Sequence, residues 1–428
     1  MFIPFPIYRT AAAALMVAMA SASWAADPLT LVEAQRIAVG RSQQLLAQGA
    51  LTAAAREQAV AAGQLPDPIL KFGIDNLPTD GADRGSLTRD FMTMRRIGVM
   101  QEITRAEKRQ LRSERFERDA QRAQAQRQLT LANLQQGTAL AWLERYYTQA
   151  MRELAQQQIE ETRLQVQAAD ISFRAGRGSQ ADVFAARGAV IQLEDRLSQI
   201  DRQSRNAGLM LARWVGTPDA DRPLSGSPPW QTTRLQSGIS SEHLKQHPDL
   251  LVMSAEVDAV ETDARLAQAN KRADWSVEAS YAQRGPAYSN MLSIGVSIPL
   301  QWDQKNRQDR ELAAKLALVD EVKARYEDMR RSHEAEVRGW LNDWQTGKDR
   351  VARYRNELVS TARQRTEAAL TSYRTGKSDL ASALAARRDE IDIRMQALTL
   401  EMETARSWAQ LNFLVPEHSM PAQAKERP

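Results

Sequence analysis

SFRAGRGSQADVFAAR (172–187) and SYRTGKSDLASALAAR (372–387) align without a gap. Ser172, Arg174, Gly176, Ala181, Ala185, Ala186 and Arg187 recur as Ser372, Arg374, Gly376, Ala381, Ala385, Ala386 and Arg387. Working outward, Trp142-Leu143 finds its counterpart in Trp340-Leu341. Farther upstream, Arg95-Arg96-Ile97-Gly98-Val99 finds its own in Leu292-Ser293-Ile294-Gly295-Val296, in the same order. Landmarks in register along the chain mark a duplication, so both halves have to be read as one kind of unit.

In the first half, Thr30 to Gln64 is rich in Ala, Gln and Arg and predicts a helix, which Leu65-Pro66-Asp67-Pro68 stops. Ile69 to Asp75 alternates, with Leu70, Phe72 and Ile74 on one face. Residues 76–89 carry Pro78, Gly81 and Gly85 and predict a loop, and Phe91 to Ile103 returns as a second strand. Thr104 to Phe173 predicts one long helix interrupted by nothing but Gly137. Gly176 then suits the left-handed cap that ends it, and Ser179 to Val215 is helical again.

The second half predicts a helix over Ser241 to Arg272, strands over Trp275 to Gln283 and Asn290 to Leu300, a helix over Asp303 to Tyr373, and a last helix to about Leu414. In its second strand Leu292, Ile294, Val296, Ile298 and Leu300 share one face. The expected organisation is a first repeat over 26–216, with a hairpin at 69–103 and a tip turn at 174–178. A linker over 217–240 holds Pro218, Pro223, Pro228 and Pro229. A second repeat follows over 241–415, with a hairpin at 275–300 and a tip turn at 374–377, and then a tail over 416–428. The fold class is mainly α with a small β part.

A helix of about 70 residues is about 105 Å long. The two flanking helices, stacked end to end, match it, so each half forms a rod with a strand hairpin at one end and a glycine turn at the other. Apolar positions such as Leu129, Leu134, Trp142 and Tyr146 are expected to be buried against neighbouring rods. Four strands do not close a membrane barrel, which starts at about eight, and open edges are not tolerated in lipid. Several chains are therefore expected to share one barrel.

Residues 1–25 read as an export signal. Arg9 is their only charge, Ala11 to Ala20 is apolar, and Ser23-Trp24-Ala25 places small residues at both cleavage-defining positions, so cleavage after Ala25 is expected. Beyond them no run of about 18 apolar residues occurs, so strands must do any membrane crossing. The absence of cysteine excludes disulfides, thiolate metal sites and a lipid-bearing cysteine. With 57 basic and 53 acidic residues interleaved, the net charge of +4 describes a solvated helical surface rather than a nucleic-acid footprint.

From about Leu29 to Val415 the chain resembles the TolC-like outer-membrane efflux protein family. The likeness rests on the duplicated helix–hairpin–helix plan, Leu65-Pro66-Asp67-Pro68 before the first strand, and the two Ser-aromatic-Arg-x-Gly turns. The resemblance implies a homotrimer with a 12-stranded β-barrel in the outer membrane and an α-barrel tunnel in the periplasm. It also implies a periplasmic adaptor (membrane fusion) protein at the tunnel tip, an inner-membrane RND-type pump beyond it, and no cofactor or enzymatic activity. GQLPDPILKFGIDNLP (63–78) followed by MRRIGVMQE (94–102) resembles the cobalt-zinc-cadmium and copper branch, which implies heavy-metal cations as cargo. A drug-efflux or type I secretion conduit fits the same plan. A periplasmic coiled-coil adaptor would show one hairpin and a lipoyl-like β region.

Matched to the family, Arg174, Gly176 and Arg177 and then Arg374, Gly376 and Lys377 are the adaptor-contacting tips; the alternative is a plain helix reversal with cations at the dipole's negative end. Asp182 and Asp379 lie within two turns of the tips. They suit either rings of carboxylates, as gate or cation filter, or carboxylates favoured at a helix start. His243 and His247 stand four apart, but Pro248 follows and no third ligand is evident, so no metal site is expected. Met92, Met94 and Met100 read as packed or lipid-facing before they read as soft cation ligands. The stripe Arg105, Arg109, Arg112, Arg115, Arg118 and Arg122 interleaves with Glu107, Glu114 and Glu117 and reads as an ion-paired, solvated face. No catalytic motif is complete: Thr375-Gly376-Lys377-Ser378 lacks the earlier glycine of a phosphate loop, and His333-Glu334 lacks the second His of a metalloprotease helix.

Overall fold

The computed structural model describes residues 27–233 and 246–416. The expected export signal, His243 and nearly all of the tail lie outside them. In the first repeat, α1 (Leu31–Arg41) and α2 (Gln43–Ala62) replace the single helix expected over Thr30 to Gln64. Ser42 leaves the helical region and its hydroxyl accepts from the Leu45 N–H at 3.3 Å, so one residue ends α1 and caps α2. Strands β1 (Ile69–Asp75) and β2 (Met94–Ile103) follow, then α3 (Ala106–Arg174), whose 69 residues span about 103 Å. The half closes with α4 (Gln180–Val215) and the short α5 (Thr217–Ala220).

The second repeat contains α6 (Pro248–Asn270), β3 (Trp275–Gln283), β4 (Met291–Ser297), α7 (Gln308–Arg353), α8 (Val359–Arg374) and α9 (Leu380–Asn412). A π-helical turn, Tyr354–Leu358, separates α7 from α8. It corrects the expectation of one uninterrupted α-helix. Trp340 to Gly376 spans two residues more than Trp142 to Gly176. In a plain α-helix the surplus would rotate everything beyond it, and a wider i→i+5 turn takes up surplus residues within the rod.

α3 is the spine of the first repeat, packed on α2 in its upper half and on α4 in its lower half. α7 does the same with α6 and α9. The repeats join where α3 packs on α6 and on α9. That junction revises the basic stripe, which is a seam between repeats as much as a solvated face. Arg115 pairs with Asp263 at 2.6 Å, Glu114 with Arg265 at 2.6 Å and Glu107 with Arg272 at 3.2 Å.

The largest core sits at the waist, where the flanking helices change over. Trp142, Leu143, Tyr147, Leu211, Val215, Trp344, Trp408 and Leu411 are buried there. Trp142 is buried as expected, in a core drawn from both rods, whereas Leu134 is covered within its own rod by Leu45 and its neighbours. Three buried indole N–H groups find carbonyls just ahead of a repeat's first helix: Trp142 donates to Leu29 at 3.0 Å, Trp344 to Trp230 at 2.7 Å and Trp408 to Thr232 at 2.8 Å. These bonds tie the connecting segments to the waist.

Candidate functional site

At one end of the rod the hairpins merge into a single antiparallel sheet, ordered β1-β2-β3-β4. Its register sorts the side chains into two faces. Leu70, Val99, Ala279 and Ile294 form one cross-strand row, and Phe72, Ile97, Tyr281 and Leu292 form the next. This apolar face is bare: Phe72 is 82% exposed and Ile294 74%. Ile298, Leu300 and Trp302 extend the exposed apolar run beyond β4.

The opposite face is polar and more shielded. Lys71 reaches across β2 to Glu278 at 2.7 Å, and Arg96 pairs with Asp75 at 3.1 Å. Gly98 lies in the same cross-strand row as Lys71 and Ser280; a Cβ there would stand 2.7 Å from the Ser280 Cβ. Met94 and Met100 share this polar side of β2, since they pair with Asp75 and Ile69. A sheet with its apolar face outward and its charges inward is inverted relative to a soluble protein. It is the pattern of a lipid-facing barrel wall. β1 and β4 keep open edges among the described residues, so the wall is incomplete in one chain. No described helix is long and apolar enough to cross a membrane.

At the other end the two glycine turns lie side by side. Gly176 and Gly376 have φ of 70° and 72°, the left-handed region that glycine enters without a Cβ penalty. Arg177 N–H donates to the Ser172 carbonyl at 3.0 Å and Lys377 N–H to Ser372 at 2.9 Å. With the bonds from Gly176 to Phe173 and from Gly376 to Tyr373, both ends are Schellman motifs. Below them Ala169, Val183, Ala186 and Leu380 form an apolar cluster drawn from both repeats, so the two turns make one surface. Arg174 pairs with Asp170 at 2.7 Å, whereas the exposed side chains of Arg177, Arg374 and Lys377 have no ion-pair partner among the described residues.

Residues 239–415 match the family model described as outer membrane efflux protein. That match lies on the second repeat and spans less than half of the chain. Solved structures extend the likeness over both repeats. The outer-membrane channel OprN is 18% identical with a TM-score of 0.76, covering 90% of each chain. CusC, described in work on folding and transmembrane channel formation, is 15% identical with a TM-score of 0.78, covering 90% of this chain and 92% of its own. The CmeC outer membrane channel of Campylobacter jejuni is 13% identical with a TM-score of 0.76, covering 90% of this chain and 85% of its own. No curated protein matches the chain in sequence. The fold is that of TolC-like channels.

Asp182 and Asp379 occupy different positions beside the two turns. Asp182 completes a capping box with Ser179: its N–H donates to the Ser179 hydroxyl at 3.1 Å and its carboxylate accepts from the Ser179 N–H at 2.9 Å. Asp379 is itself the N-cap, accepting from the Ser382 N–H at 2.9 Å. Hydrogen bonds from the Ser382 side chain and backbone hold its carboxyl below the ordinary value. The repeat equates Ser179 with Asp379 and Asp182 with Ser382, so the two carboxylates are not equivalent.

Sequence reasoning missed one cluster. His247, the N-cap of α6, meets His333 of α7, with ring centroids 4.3 Å apart, and Asp249 lies between them. Burial, helped by His333, pushes the His247 imidazole down to about 4, and burial pushes the Asp249 carboxyl up. His333 lies a whole hairpin away in sequence, and only the packing of α6 on α7 brings it in.

Proposed function

We propose that the chain is one subunit of a trimeric outer-membrane channel in a tripartite efflux system, a passive conduit from a periplasmic pump–adaptor complex to the exterior. The inverted sheet carries this reading. Its apolar face suits lipid, its charged face suits an aqueous lumen, and its open edges call for pairing with further copies. Three chains then close a 12-stranded barrel, and their rods close a helical tunnel below it. The exposed cations Arg177, Arg374 and Lys377 form the surface on which an adaptor docks, with Arg174, Gly176 and Gly376 shaping it. Asp182 and Asp379, ringed around the tunnel mouth in a trimer, add carboxylates to its lining. The partner beyond the adaptor is an inner-membrane RND-type pump.

Heavy-metal cations are the cargo we infer, supported by the likeness of residues 63–78 and 94–102 to the metal-efflux branch. Growth of a deletion strain on zinc, cobalt, cadmium, copper and drugs tests this; sensitivity to drugs alone would overturn it.

The absence of cysteine gives a direct test of closure. Cysteines introduced singly along β1 and β4, and combined pairwise, should join chains on oxidation into species no larger than three. Ladders of higher order, or no crosslink from any pair, would contradict the closed trimer.

A further inference from the structure

Independently of the channel reading, we propose that His247, Asp249 and His333 form a binding site for one divalent transition-metal cation, of the zinc or cobalt class, which fastens the start of α6 to α7. The donor geometry carries it. His247 Nδ1 and His333 Nε2 each stand 3.6 Å from the same Asp249 oxygen, Oδ2. That spacing is too long for a good hydrogen bond. It is close to the edge of a tetrahedron around a cation with ligands at 2.0–2.1 Å, which is about 3.4 Å. One donor atom from each of the three residues lies within 4.8 Å of the others.

The surroundings fit such a cation. Two imidazoles and one carboxylate leave a fourth position for water, and imidazole nitrogen selects zinc, cobalt, nickel or copper over calcium or magnesium. His333 Nδ1 is buried without a hydrogen bond, 3.4 Å from the Glu336 carboxylate, which stands where carboxylates behind metal-bound histidines do. An open cleft lined by Met253, Met329, His333 and Glu336 gives a way in from the surface. His247 Nδ1 also accepts from the Asp249 N–H at 3.3 Å, a long capping bond that a cation on that lone pair would displace. Burial and the second helix separate this cluster from an exposed acidic patch: His247 is 8% exposed, and α6 and α7 each contribute one imidazole.

The test is titration of the purified full-length protein with zinc sulfate in a calorimeter, and with cobalt followed by its visible absorption. One cation per chain is expected, with tetrahedral cobalt bands. His333→Gln and Asp249→Asn should each weaken binding about 100-fold or more, and Glu336→Gln about 10-fold. His418→Gln should leave it unchanged. Circular dichroism and assembly mass, measured on every variant, separate loss of the site from loss of the fold. Absence of zinc binding by the folded wild type, or binding that survives in folded His333→Gln, would overturn the proposal. Because these readouts need no conductance, a failed channel assay would leave them standing.

Discussion

In the first repeat the long helix meets the returning helix through Arg152 and Asp201, an exposed pair at 2.6 Å. In the second, Glu401 stands where Asp201 stands in the repeat, and Arg355 grips it with both arms, one at 2.7 Å. Glu401 is only 5% exposed, and Arg355 sits in the π-helical turn that the first repeat lacks. The same rod is therefore held by a solvated pair on one side and by a buried carboxylate on the other. A buried charge depends on its partner far more than an exposed one does. The surplus residues of the second repeat coincide with the turn that places Arg355 on this buried carboxylate.

This asymmetry sets the largest expected effect. Arg355→Ala should lower stability by about 1–3 kcal/mol, because it leaves the Glu401 carboxylate without its charged partner at a site that the half-exposed arginine otherwise covers. Arg152→Ala should change it by about 1 kcal/mol or less. Denaturant unfolding of the purified assembly reads both, and equal losses would break the comparison. At the tips the repeats should instead behave alike. Gly176→Val and Gly376→Val each force a branched side chain into left-handed backbone and should cost about 1–2 kcal/mol. A large difference between them would show that only one turn keeps its Schellman geometry in the assembly.

Smaller effects sharpen the exchange of capping groups. Ser179→Ala should cost about 1 kcal/mol. Asp379→Ser should preserve the start of α9, while Asp379→Ala should speed amide exchange there. Acid should do what Asp379→Ala does. With the folded carboxyl held below its ordinary value of 3.8, the cap's contribution is complete above that value and disappears as pH falls through the lower one. Hydrogen exchange of the first turn of α9 should accelerate only in that acid window. Acceleration already near neutral pH would contradict the assignment of the cap. Last, Arg177→Glu with Lys377→Glu should leave stability within about 0.5 kcal/mol while weakening adaptor binding. Unchanged binding in a pull-down with the purified adaptor would remove these cations from the docking surface.

Much of this was legible in the chain because the code is local and written twice. Leu292, Ile294 and Val296 announce a strand by alternation, and Gly176 and Gly376 announce a left-handed cap by position. Which face of the first and last strands is apolar was also readable, whereas the pairing of β2 with β3 into one sheet depends on contacts across the repeats. Other features had no local signature. Ser42 is one serine among many until its hydroxyl is seen to cap α2. The π turn depends on a surplus measured against the other repeat, not on any residue within it. Asp182 and Asp379 looked alike because both are acidic and near a turn, but capping geometry, set by single-residue position, assigns them different roles. His333 became a partner of His247 only through helix packing, which periodicity does not disclose.

The central claim is that the inverted sheet becomes a conducting wall once its edges are paired between chains. Single-channel recording in planar bilayers tests it most directly, using detergent-purified protein of measured mass, with Asp182→Ala and Asp379→Ala variants recorded alongside to open a closed mouth. The account predicts stepwise conductance from an assembly of three chains. A folded monomer that yields no conductance steps, with or without those substitutions, would contradict it.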